Sequence, residues 1–238
     1  MTGNDTNWAD VLAAAVHDER GHLSNIVVAL SLLKRKPSVS ADPSALDVIR
    51  RIETATTGLV DMTGHLQLLA EVESNEDLRA GGPTTVEMLT RKARRMLEKS
   101  GLAPMPDVVG DESLVLELPP EAAAAALVSL LQGARALSGD GEEPILTVSS
   151  DAGHVVLRVE VVEPIVSVTD TSLLFDGTWH DVGRPDRRGV PLGVYVAKRL
   201  AQECGGDLTA EVSDARLTFV LRVQASDRKP PEMSDWDF

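Results

Sequence analysis

Ala14-Ala15-Val16-His17-Asp18-Glu19-Arg20-Gly21-His22-Leu23-Ser24-Asn25-Ile26 places a histidine, and the carboxylate that follows it, on a periodic amphipathic helix. Written as heptads, core positions a and d read Ala9, Leu12, Val16, Glu19, Leu23, Ile26, Leu30 and Leu33, so only Glu19 interrupts the apolar seam. His17 falls at position b, one step off the seam, where a rigid helix holds an imidazole open to a partner. A lone surface histidine is ordinarily just solvated. His17 therefore gains weight only from what surrounds it.

A second periodic segment carries the same register without a break: Ala45, Val48, Ile52, Ala55, Leu59, Met62, Leu66 and Leu69. The short polar stretch Lys36-Pro37-Ser38-Val39-Ser40-Ala41 separates the two, which predicts an antiparallel helical hairpin over residues 7–75. Asp42-Pro43 supplies an N-cap with proline at the first helical position. Two helices cannot bury a continuous apolar stripe by themselves. The pattern thus predicts a homodimer whose hairpins form a four-helix bundle, with the two His17 residues on its outer faces.

Composition limits the setting. The chain has 238 residues, enough for such a hairpin and one further domain of ordinary size. A single cysteine, Cys204, excludes a disulfide framework and suits a reducing interior. The longest apolar run, Ala122 to Leu131, is too short to span a bilayer, and no signal peptide is visible, so a cytoplasmic protein without its own sensor region is expected. A net charge of −14 argues against nucleic acid as a partner. Arg91-Lys92-Ala93-Arg94-Arg95 does cluster basic groups, but Val86, Leu89, Ala93, Met96 and Leu97 make the segment an amphipathic helix with a solvated charged face.

Residues 84–224 read as an α+β domain. Leu78 to Pro83 is a polar linker, and Thr84-Thr85-Val86-Glu87 is a capping box that opens a helix. Ala103 to Gly110 reads as a loop, Ser113 to Leu118 as a strand, and Pro119-Pro120 as the start of an Ala-rich helix ending near Ser138-Gly139. Ile145–Ser150 and Val155–Val162 alternate across Asp151-Ala152-Gly153-His154 and predict a hairpin. A helix from Leu192 ends at Cys204-Gly205-Gly206, and two strands, Asp207–Glu211 and Arg216–Val223, close the domain. The tail, residues 225–238, is polar and contains proline, which predicts disorder.

His17-Asp18-Glu19-Arg20-Gly21-His22-Leu23-Ser24-Asn25-Ile26 resembles the phosphoacceptor helix of histidine kinases, usually His-Glu-Leu-Arg-Thr/Asn-Pro-Leu-Thr-x-Ile. The resemblance assigns His17 as the phosphorylated histidine and Asp18 as the acidic residue after it. Glu19, Gly21 and His22 depart from the motif, and Gly21 stands at the Thr/Asn position linked in that family to dephosphorylating a response regulator. The later segments follow the order of that family's ATP-binding domain. Arg188-Gly189-Val190-Pro191-Leu192-Gly193 resembles its second glycine box, and Leu174-Phe175 its phenylalanine motif. The resemblance covers about residues 8 to 223.

The family's nucleotide chemistry is missing from these residues. Ser129-Leu130-Leu131-Gln132-Gly133-Ala134 stands where the resemblance expects Asn-Leu-Leu-x-Asn-Ala, so Ser129 and Gly133 replace two asparagines that help hold Mg²⁺ and phosphates. Val161-Val162-Glu163-Pro164-Ile165-Val166 stands where an Asp-x-Gly-x-Gly box anchors adenine, and only Glu163 is acidic. Val190-Pro191 removes a glycine, and proline removes an N–H, from a loop that works by donating N–H groups to phosphate. Phosphoryl transfer depends on positioning and charge stabilisation, so these losses predict no ATP binding. Ser129, Gly133, Glu163, Gly189 and Gly193 are thus degenerate positions, with no cofactor and no metal bound.

A chain that keeps the histidine and loses the kinase site resembles the dimeric histidine phosphotransferases of bacterial signalling. The resemblance implies a phosphorelay in which His17 takes a phosphoryl group from one response-regulator receiver domain, or an upstream hybrid kinase, and passes it to another. Neutral imidazole is a competent nucleophile near neutral pH, its reference pKa being about 6.5. Asp18 is the orienting general base, Arg20, Gly21 and Ser24 are the receiver-binding positions, and Mg²⁺ comes from the receiver. Gly21 costs about 1 kcal/mol relative to alanine within a helix, which points to local plasticity or a closely approaching partner. Glu19 reads either as a buried polar layer or as the partner of Arg50 or Arg51. His22 and His65 read as structural and solvent-facing. Two alternatives stay open: a divergent ATP-dependent sensor kinase lacking its sensor domain, and a non-catalytic scaffold that grips a regulator or kinase.

Overall fold

The computed structural model describes residues 8–74, 82–99, 104–139, 142–162, 164, 171–175, 192–213 and 216–230. The chain divides into two compact units, residues 1–74 and 75–238.

In the first unit, helices α1 (Trp8–Lys34) and α3 (Pro43–Ser74) form the hairpin, joined through a single helical turn, α2 (Pro37–Ser40). Asp42 caps α3: its Oδ1 accepts from the backbone N–H of Ser44 at 2.9 Å and of Ala45 at 3.3 Å. Lys34 Nζ lies 2.6 Å from Glu53 Oε2, which sets how the helices align. Leu23 and Leu30 of α1 are buried, as are Ile49, Thr56 and Thr63 of α3. The two threonine hydroxyls are satisfied within their own helix, donating to the carbonyls of Ile52 (2.8 Å) and Val60 (2.9 Å).

The buried stripe of α3 differs from the expected one. Val48, Ile52 and Leu59, assigned to the seam, are exposed, and the next residue round, Ile49, faces α1 instead. On α1 the a positions Leu23 and Leu30 are buried, while the d positions Ile26 and Leu33 are exposed. A stripe wide enough for a four-helix bundle meets two neighbours, and one hairpin supplies only one of them. At about 100° per residue, Ile26 and Leu33 sit some 60–80° round α1 from Leu23, and Val48, Ile52 and Leu59 some 60–100° round α3 from Ile49, in the same sense. Because the helices run antiparallel, both offsets open on one side of the hairpin. Its uncovered residues form a single apolar face.

Glu19 is exposed, and Arg50 and Arg51 reach Asp47 on their own helix at 3.6 and 3.3 Å. The expected pairing of Glu19 with either arginine does not form. The Lys34–Glu53 register explains this: Glu19 lies fifteen residues, about 22 Å, along α1 from Lys34, out of reach of Arg50 and Arg51.

In the second unit, β1 (Thr84–Thr85) pairs antiparallel with β3 (Val115–Leu116). A five-stranded sheet has the order β2 (Val108–Gly110), β4 (Ile145–Asp151), β5 (His154–Val162), β7 (Arg216–Gln224), β6 (Asp207–Ser213). Only the β2–β4 pair is parallel. The hairpin turn between β4 and β5 has positive φ at both central residues, Ala152 (46°) and Gly153 (81°), the twist that tight hairpins favour. Helices α4 (Val86–Lys99), α5 (Pro120–Leu137) and α6 (Leu192–Glu203) supply Leu89, Ala93, Leu97, Leu127, Leu131, Val194 and Ala197 to the core. Alternate strand residues meet them: Val155, Leu157, Val159 and Val161 from β5, and Leu217, Phe219, Leu221 and Val223 from β7. Helix α5 packs against both α4 and α6 and is buried almost all round, as its run of alanines allows.

Three details depart from the sequence reading. Strand β2 lies within the segment read as a loop, and at Gly110 (φ 133°) an added Cβ would overlap the Val148 carbonyl. The cap of α4 is Thr85, whose Oγ1 accepts from Met88 N–H at 3.1 Å, because the helix begins at Val86 and both threonines belong to β1. Residues 225–230 are not free chain. Ala225 N–H donates to Gly153 O and Ser226 N–H to Val115 O, both at 2.9 Å, and Arg228 pairs with Glu117.

Candidate functional site

His17, Asp18 and Arg20 lie on the helical backbone of α1, and their side chains fall outside the described residues. The backbone register puts positions 17, 21, 24, 28 and 32, spaced by three or four, along one side of the helix, away from α3 and from the apolar face. Gly21 and Ser24 are exposed there, and a Cβ added at Gly21 meets nothing within 4 Å. Packing among the described residues therefore gives no reason for glycine at that position. Val28 and Leu32 continue the same side as exposed apolar residues. In the sequence they stand as apolar positions outside the heptad seam, at f and c. His22 is also exposed, but the helical register turns it toward the side of Ile26 and Leu33. The side chain of His65 falls outside the described residues.

Ser129 and Gly133, one turn apart on α5, share a face that meets α6. Ser129 is fully buried, and its hydroxyl has no hydrogen-bond partner among the described residues. A Cβ on Gly133 would lie 2.5 Å from Val194 Cγ2 and 3.1 Å from Val194 N, at the first turn of α6. Gly193, beside it, is buried. Glu163 and Gly189 lie outside the described residues. The 3₁₀ turn Thr171–Phe175 is held onto the core: Leu174 is fully buried, and Phe175 meets Phe219 edge-on with ring centroids 6.4 Å apart. Lys198 of α6 lies 4.4 Å over the Phe175 ring and 4.0 Å from Asp207.

These positions do not fit the Mg²⁺ and nucleotide that the resemblance implies. Neither 129 nor 133 presents a carboxamide oxygen, and the space at 133 is taken by Val194. Among the described residues no three His, Cys, Asp or Glu side chains gather to hold a metal ion. Among the described residues one carboxyl is perturbed: Asp111 accepts from the Ser113 hydroxyl and backbone N–H, and these bonds hold it below the usual carboxylate range. No helix among the described residues is long and apolar enough to cross a membrane.

No protein-family model and no curated protein sequence matches the chain. Solved structures do. Full-length ShkA in complex with AMPPNP is 15% identical, with a TM-score of 0.55; the match covers 94% of this chain and 47% of ShkA, so this chain spans about half of that protein. Histidine kinase AdeS from Acinetobacter baumannii is 15% identical over 89% of this chain and 98% of its own, with a TM-score of 0.49. The mycobacterial sensor histidine kinase MprB is 16% identical over 61% of this chain and 97% of its own, with a TM-score of 0.45. The likeness to ShkA runs through both units, hairpin and helix-backed sheet alike, and the chain has a histidine kinase-like fold.

Proposed function

We propose that this chain is a homodimeric histidine phosphotransfer protein of a two-component phosphorelay, carrying a phosphoryl group between response-regulator receiver domains on His17. The observation that carries the reading is the state of Ser129 and Gly133. A buried hydroxyl without a partner among the described residues, and a glycine pressed against Val194, stand where a kinase of this fold needs metal ligands. The histidine-bearing side of α1 meanwhile stays accessible at Gly21, Ser24, Val28 and Leu32. A protein that acts through this histidine without ATP takes its phosphate from another protein.

A ring nitrogen of His17 attacks the phosphorus of a receiver's aspartyl phosphate. The P–O bond breaks, the aspartate leaves as a carboxylate, and a P–N bond forms; a second receiver's aspartate then reverses the step. The product is first a cationic phosphoimidazole, which Asp18 stabilises by accepting a hydrogen bond from the other ring nitrogen's N–H before taking that proton to leave it neutral. The receiver brings the Mg²⁺. Gly21 and Ser24 keep the approach open, Arg20 contributes charge, and Val28 and Leu32 add apolar contact one and two turns further along. The second copy covers Ile26, Leu33, Val48, Ile52 and Leu59, which places the two transfer faces on opposite sides of the bundle.

The test mixes the purified protein with phosphorylated receivers. Acid-labile phosphate appears on the wild type and not on His17→Ala. Autophosphorylation with ATP and Mg²⁺ would transfer the reading to the divergent kinase. Receiver binding without any transfer would transfer it to the scaffold.

A further inference from the structure

We propose that the contact of Gly133 with the first turn of α6 is a packing lock that fills the place a metal–nucleotide would need. The second unit is then closed by its own helices and not merely stripped of ligands. This deepens the nucleotide-free reading above and rests on it.

Glycine is disfavoured inside a helix, so a buried one in mid-α5 requires a cause. The cause is Val194: a Cβ at 133 would press on its Cγ2 at 2.5 Å and on its backbone N at 3.1 Å. A valine methyl can turn away, whereas the backbone nitrogen can move only with the helix. Both surfaces at this crossing are built from small residues, with Ser129 and Gly133 on α5 and Gly193, Ala197 and Ala201 on α6, and all five are buried. Val194 itself is fully enclosed. Helix α6 is fastened a second time at its middle, where Lys198 sits over Phe175, whose ring in turn rests on Phe219. An asparagine at 133 would carry its carboxamide into the volume of the α6 first turn. Restoring the ligand without moving α6 would therefore produce a clash and no site. A unit locked in this way presents one conformation whatever the ATP concentration.

The experiment uses the full chain and measures melting temperature together with amide hydrogen exchange over residues 192–197. Helix propensity by itself makes Gly133→Ala stabilising. The lock reverses that sign: overpacking lowers Tm by roughly 3–10 °C, and exchange in the first turn of α6 accelerates. Gly133→Ala combined with Val194→Ala loses less than the two single changes sum to, and folds even if Gly133→Ala alone does not. A raised Tm in Gly133→Ala, or strict additivity in the double variant, overturns the lock. Ser129→Asn with Gly133→Asn is expected to melt lower and to show no shift with ATP and Mg²⁺; an ATP-dependent rise in Tm there would also overturn it. Transfer from phosphorylated receivers is assayed separately, so failure of the lock and failure of the phosphotransfer reading are distinguishable.

Discussion

Ile52→Glu is expected to convert a dimer into a monomer without unfolding the hairpin. Ile52 lies on the uncovered apolar face and keeps 42% of its surface exposed within one chain. Fully burying an isoleucine side chain is worth up to about 3 kcal/mol, so covering the remaining share contributes about 1 kcal/mol per copy, and about 2 kcal/mol for the two copies of a symmetric interface. Ile52→Ala alone should then weaken the dimer roughly 30-fold. Glutamate adds two like carboxylates to the same apolar contact, at several kcal/mol per buried ion, which raises the loss beyond about a thousandfold. Val28→Glu is the control, because Val28 is 58% exposed on the other side of α1 and should leave the dimer intact. Sedimentation velocity at micromolar concentration reads the mass, and circular dichroism at 222 nm confirms the helices. A wild-type monomer, or dissociation by Val28→Glu while Ile52→Glu stays dimeric, would refute the assignment of faces.

His17→Ala should abolish phosphate transfer and leave mass and melting unchanged, whereas His22→Ala retains most transfer; the reverse result would move the acceptor. Asp18→Asn should slow transfer by about 10²–10⁴-fold with receiver affinity preserved, as rapid-quench rates and a binding titration would show. Thr85→Ala removes the acceptor of the Met88 N–H and should cost about 1 kcal/mol in chemical denaturation, while Thr84→Val, in the ladder, tests the expected capping box and should not reproduce a capping loss. Ser113→Ala should raise the Asp111 pKa toward the ordinary carboxylate value in an NMR titration. Since a depressed pKa stabilises above the unfolded value and is lost as pH falls through the folded one, the part of any stability difference that comes through Asp111 should vanish in acid.

Local pattern was enough for the long elements. The heptads of α1 and α3, Asp42-Pro43 at the start of α3, and the alternation in β4, β5 and β7 all follow from periodicities set by backbone geometry, which a sequence records directly. The motif around His17 and the losses at Ser129 and Gly133 were readable for the same reason: each is a residue type at a fixed offset. Neighbourhood was not readable. A seven-residue repeat identifies an apolar stripe but not which edge of it meets the partner helix, and only packing put Ile49 inside and Val48 and Ile52 outside. Strand β2 was missed because three residues carry too little alternation, and its place comes from the β4 edge beside it. The cap fell to Thr85 and not Thr84 because pairing with β3, some thirty residues away, keeps both threonines extended and starts the helix only at Val86. At Gly133 the sequence by itself determined that glycine stands where the resemblance expects asparagine. That Val194 occupies the space left by it was decided by the tertiary structure, because the contact joins two helices sixty-one residues apart in the chain and depends on how closely their backbones approach.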